Sequence, residues 1–225
     1  MIRWRLFFVL SALVTLVAAG TYALAPDPLQ SLQDTVRVTA RASFVLFLAV
    51  FTASSLAKLV SSALTRALVR ERRYVGLSFA FAHFLHALAI IAYSNTVPEA
   101  FWLGRSPASN VPGLIGYVAI LLLTITSFDT PMRLVGPVNW KRLHRTGVWV
   151  IAVIFAGSFL TRIPQHAGYA VPGVIMLAAM LLRVAVYFGK ARSKDAAVSA
   201  PNHHGRSTRC GRMPEPAELR TVRER

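Results

Sequence analysis

The chain carries one cysteine and nine acidic residues, and each scarcity excludes something. Cys210 has no partner for an internal disulfide and stands in a polar segment, so neither a disulfide framework nor a cysteine-rich metal centre is available. Asp27, Asp34, Glu71, Glu99 and Asp129 flank the long apolar runs and the other carboxylates follow the last of them. A proton-coupled transporter with a buried carboxylate is therefore disfavoured. There is also no glycine-rich strand-to-helix signature and no soluble stretch large enough for a flavin or nicotinamide domain.

Apolar residues are abundant: 55% of the 225 residues against 15% charged, the balance of a lipid-solvated chain. The net charge of +16 would suit nucleic acid if it were gathered on a folded face. Here the basic residues sit between apolar runs and in the tail, so no nucleic-acid partner is expected and membrane lipid is.

A bilayer core needs about 20 apolar residues of helix. Runs of that kind occur at Leu6–Ala25, Ala42–Leu59, Tyr74–Tyr93, Pro112–Phe128, Gly147–Ile163 and Tyr169–Phe188, separated by prolines or charges. The fold class expected is all-α: an integral membrane bundle of six transmembrane helices over residues 1–190. Val111-Pro112-Gly113 and Val171-Pro172-Gly173 open two runs alike, as suits proline in a first helical turn. The first run also fits a secretory signal, with Ala23-Leu24-Ala25 as its small-residue site, and five helices would then remain. Pro26 after that site hinders cleavage and favours a retained helix.

Basic loops resist translocation. Arg3 and Arg5, then Arg66, Arg70, Arg72 and Arg73, then Arg133, Lys141, Arg142 and Arg145, and finally the tail fall on alternate ends. Both termini are expected in the cytoplasm of a bacterium, with the chain a multi-pass protein of its inner membrane. Lys58 and Arg183 lie where long stems snorkel to headgroups. Residues 191–225 have no hydrophobic period and are expected to form a disordered basic tail drawn to anionic lipid. His203, His204 and Cys210 in that tail lack a fourth ligand for a metal site.

Ionisable groups at membrane depth point to function. In Ala82-His83-Phe84-Leu85-His86 two histidines stand three apart on one face of the third run, about midway across. His144, in Trp140-Lys141-Arg142-Leu143-His144-Arg145, lies near the basic interface. Such histidines ligate heme iron, serve proton relays or metals, or simply hydrogen-bond to neighbouring helices.

Arg72-Arg73-Tyr74-Val75-Gly76-Leu77-Ser78-Phe79-Ala80 running on to His86, then Leu122-Leu123-Thr124-Ile125-Thr126-Ser127 and Trp140 to Arg145, resemble the ferric reductase-like transmembrane domain. The likeness covers residues 42–188 and extends to the branch of heme-binding membrane subunits of bacterial methionine sulfoxide reductase systems. It implies a six-helix bundle that binds heme b and passes electrons. It further implies axial ligands on the third and fifth helices, two positions about 20 Å apart on each. His86 matches the third-helix position and His144 the first on the fifth. The second should fall near residues 157 and 158, where this chain reads Phe155-Ala156-Gly157-Ser158-Phe159.

His86 and His144 differ by about 15 Å in height and are not expected to share an iron. The expectation is therefore one heme b on His86 or His83, with water, Met176 or Met180 opposite. His144 is a further candidate, and Arg72, Arg73, Lys141 and Arg142 are candidate partners of the propionates. Electrons would come from a separate flavin reductase or a quinol and pass to an unidentified acceptor. The alternative is a heme-free membrane scaffold or partner subunit that has lost a ligand histidine.

Overall fold

The computed structural model describes residues 2–103 and 110–199, with side chains from 4–103 and 110–189. Residues 200–225, with His203, His204, Cys210 and most of the expected disordered tail, lie outside the described residues. The chain divides into two compact units, Met1–Gly189 and Lys190–Arg225, and the first contains everything discussed below.

Among the described residues eight α-helices follow in order: α1 (Ile2–Leu24), α2 (Pro28–Leu59), α3 (Ala63–Thr96), α4 (Pro98–Trp102), α5 (Val111–Ile125), α6 (Asp129–Val135), α7 (Pro137–Leu160) and α8 (Ala170–Ser199). A 3₁₀ turn at Ala167–Tyr169 precedes α8, and no strand occurs among the described residues. Among the described residues five helices are long and apolar enough to cross a membrane, and α5 with α6, bent by 103°, passes the same test only as a pair, as a broken span or a re-entrant loop would.

The helices outrun the apolar runs because caps, not hydropathy, end them. Asp27 accepts from the Gln30 amide ahead of Pro28, so α2 starts well before Ala42. Ser62 and Thr65 form a reciprocal capping box at the start of α3. The run Pro112–Phe128 is instead cut short at Ile125. A continuous helix would drive the Pro131 ring into the Ser127 carbonyl, so the backbone turns at Thr126–Phe128, and Pro131 enters in the first turn of α6. Gly136, at φ +79° and ψ 156°, then joins α6 to α7 in a conformation nearly restricted to glycine.

Antiparallel register is visible in residue pairs. Gln33–Tyr93, Thr39–His86 and Phe47–Phe79 descend α2 while ascending α3. Gly116–Ile154, Leu123–Gly147 and Thr126–His144 do the same for α5 and α7. A Cβ on Gly147 would overlap the Leu123 side chain, so this glycine sets the close approach of α5 to α7.

In lipid the hydrophobic effect does not draw helices together, and packing must. Phe44, Phe47 and Phe51 supply an i, i+3, i+7 stripe on α2 that meets Phe155, Phe159 and Trp149 of α7 and Phe79 of α3. Met176 of α8 is fully buried in the same cluster, with Met180 packed against it. Thr39, Ser43 and Ser78 are buried in the bundle, each hydroxyl donating to its own helix four residues back. α1 docks through Trp4 on Tyr74 and Phe7 on Phe81, and the Ser31 hydroxyl donates to the Tyr22 carbonyl at 2.6 Å.

Candidate cofactor-binding site

His83 and His86 sit on adjacent turns of α3, their ring centroids 5.3 Å apart. Nδ1 of His86 lies 3.1 Å from the Val36 carbonyl and 3.2 Å from Thr39 Oγ1, both on α2. The Thr39 hydroxyl gives its one proton to the Thr35 carbonyl at 2.7 Å, so it can only accept from the imidazole. Both contacts therefore place the proton on Nδ1. Nε2 is left as the lone-pair nitrogen, with no hydrogen-bond partner among the described residues. A ligating histidine is ordinarily oriented this way, by donation from its other nitrogen to a carbonyl.

His83 has no such anchor. Its Nδ1 is buried without a partner, and so is the hydroxyl of Tyr117 on α5, whose ring lies 4.8 Å away. Phe79 and Phe155 close the pocket around His83 at 5.7 and 6.1 Å. Two buried polar atoms without partners, on neighbouring rings, are costly, and they point to a group that partners them in the assembled protein.

His144 is anchored through Nε2, which leaves Nδ1 as its lone-pair nitrogen. Thr126 Oγ1 donates to the Leu122 carbonyl at 2.6 Å and so accepts from His144 Nε2 at 3.1 Å. Trp140 lies 4.4 Å from the His144 ring and donates Nε1–H to the Thr126 carbonyl at 2.8 Å. These contacts fasten α7 to the end of α5. Phe155, beside His83, is eleven positions further along α7, so His144 lies roughly 16 Å from the histidine pair.

Arg73 pairs with Asp129 at 3.4 Å, tying α3 to α6, and Arg142 is exposed on α7. Arg73 precedes His86 by thirteen positions, about 20 Å of helix. Arg162, just beyond α7, is a further cation within electrostatic reach of His86, and its guanidinium donates to the Ser158 carbonyl at 3.0 Å. Its one sequence signal is its place in the loop at the His86 end of the bundle. Met176 packs among aromatic rings, and no hydrogen bond or ring contact joins it to either histidine of α3.

The model of the ferric reductase like transmembrane component matches residues 39–155, slightly more than half of the chain. The chain belongs to that family. The matched segment opens at Thr39, which holds His86, and closes at Phe155, which packs on His83. Three curated relatives are each called a protein-methionine-sulfoxide reductase heme-binding subunit, MsrQ. That of Cronobacter sakazakii is 28% identical over 169 residues, covering 72% of this chain and 80% of that protein. That of Caulobacter vibrioides is 31% identical over 121 residues, or 52% and 57%. That of Salmonella arizonae is 29% identical over 163 residues, or 69% and 77%. No solved structure matches the chain.

Position 157 on α7 is occupied by a glycine exposed on the helix surface, with nothing within 4 Å of where its Cβ would stand. Ser158, half-buried, follows Phe155 by three residues and so shares its face toward the histidine pair.

Proposed function

We propose that this family member is a multi-pass electron-transfer subunit of a bacterial inner membrane that binds one heme b through Nε2 of His86. The observation that carries the reading is the double anchor of His86 Nδ1 on Val36 and Thr39, which leaves a neutral imidazole with its Nε2 lone pair free. Among the described residues no three His, Cys, Asp or Glu side chains gather as a metal site. That ligand supply suits a porphyrin, which brings four nitrogens of its own and needs one or two from the protein.

His83 and His86, on adjacent turns of one helix with rings 5.3 Å apart, would not both hold one heme iron. Tyr117 and His83 would offer their unpaired hydroxyl and nitrogen, and Arg162 its guanidinium, to the propionates, the polar part of the porphyrin edge. A bound heme supplies one-electron chemistry. The proposed partners are a separate electron donor, a flavin reductase or a quinol, and an unidentified acceptor, in keeping with relatives named as subunits of a reductase.

The test is a reduced-minus-oxidised spectrum of the protein purified in mild detergent from heme-replete cells. A b-type α-band that is lost in His86→Ala and persists in His144→Ala is expected. Folded protein without heme would leave the second reading, a heme-free scaffold, which the packing of Phe155 against His83 favours.

A further inference from the structure

The basic end of the bundle holds a cavity that the proposed heme site does not use. Its volume is about 320 Å³, and Arg145 and Trp149 of α7 face Arg183, Val184, Tyr187 and Phe188 of α8 across it. Arg183 lies five residues before Phe188, where the apolar run ends ahead of Lys190, about 8 Å of helix inside it. Its guanidinium donates to the Phe51 carbonyl at 2.8 Å and lies 4.6 Å from the centroid of the Phe51 ring. This side chain is held inward and does not merely snorkel.

Both of those partners are neutral. The ion pairs among the described residues are Arg37–Asp34, Arg70–Glu71 and Arg73–Asp129, so none of the described carboxylates pairs with Arg145 or Arg183. Arg72 and Arg145 are both close enough to act electrostatically on Arg183. Like charges gathered at membrane depth are costly unless an anion joins them. The rest of the wall is hydrocarbon-compatible, with Val184, Tyr187 and Phe188 exposed, and Trp149 and Tyr187 are the residue types found at headgroup level.

We propose that this cavity binds the headgroup of an anionic phospholipid from the adjoining leaflet. Its phosphodiester sits on Arg145 and Arg183, and its acyl chains run along Val184 and Phe188. Basic pockets between transmembrane helices recognise such headgroups through charge-assisted hydrogen bonds. The proposal stands whether or not heme is bound.

The experiment titrates the full-length protein in mild detergent with phosphatidylglycerol or phosphatidylcholine and reads bound lipid by native mass spectrometry. One phosphatidylglycerol is expected to stay bound where phosphatidylcholine does not. Arg145→Gln, at an exposed position that leaves folding intact, weakens it about five-fold, and adding Arg183→Gln weakens it about five-fold again. Arg66→Gln with Arg133→Gln removes the same charge from exposed positions outside the cavity and leaves retention unchanged. Equal retention of both lipids would overturn the proposal. So would a control that loses as much lipid as the cavity variant, or displacement by millimolar inorganic phosphate, which would point to a soluble phosphate ligand.

Discussion

At the residue scale, the decisive feature is not that α3 contains histidines but which nitrogen of His86 is committed. The Val36 carbonyl and the Thr39 hydroxyl both take the Nδ1 proton, and Thr39 can do so because its own proton is given to Thr35. Thr39→Val keeps the volume and removes one of the two acceptors. We expect heme affinity to fall about tenfold, the low end for loss of an outer-shell partner, because Val36 remains. Heme titration of the purified apoprotein followed at the Soret band measures it. An unchanged affinity would mean that the threonine contact does not orient the ligand. The histidines themselves were legible in the sequence, since ionisable groups at that depth are expensive. Their anchors were not, because Val36 and Thr39 lie about fifty residues away and meet His86 only once the α2–α3 register is set.

At the scale of elements, a helix end and a helix face each carry a prediction. Gly136 sits at φ +79° with nothing within 4 Å of a built Cβ, so Gly136→Ala meets no clash and pays only backbone strain. That strain is about 1–3 kcal/mol, to be read as a lower midpoint in denaturant unfolding of the detergent-solubilised protein. A second prediction concerns α7. Ser158 shares the face of Phe155 toward the His83 pocket while Gly157 is exposed. Ser158→His should therefore supply a second axial ligand, giving a six-coordinate low-spin spectrum and loss of carbon monoxide binding, whereas Gly157→His should not. Identical spectra for the two variants would refute this reading of the helix face. The long spans were legible as apolar runs, but the break of the fourth was not read from hydropathy. Thr126, Ser127 and Phe128 are apolar enough to extend the run, and only the reach of Pro131 back to the Ser127 carbonyl ends α5 at Ile125. The bounds of α2 escaped for a related reason, since the Asp27 cap and Pro28 start a helix well before its apolar stretch begins.

At the scale of the whole bundle, α1, α2 and α3 pack together as one group and α5 with α7 as another, while α3 touches α5 sparingly. The aromatic stripe of α2 against α7 bridges the groups, and the histidine pair lies at the same seam, with Val36 and Thr39 on one side and Tyr117 and Phe155 on the other. A cofactor bound there contacts both groups and is lost when they part, so its binding free energy adds to the stability of the assembled bundle. At a free heme concentration one hundred times the dissociation constant, that linkage amounts to about 2.7 kcal/mol. The melting temperature of the detergent-solubilised apoprotein should therefore rise with added heme. In His86→Ala the rise should vanish. Because the comparison is made within each variant, a fold weakened by the substitution itself does not imitate loss of the site. An equal rise in both proteins would put the heme elsewhere than on His86, and no rise in either would leave the packed seam of Phe155, His83 and Tyr117 as a structural joint.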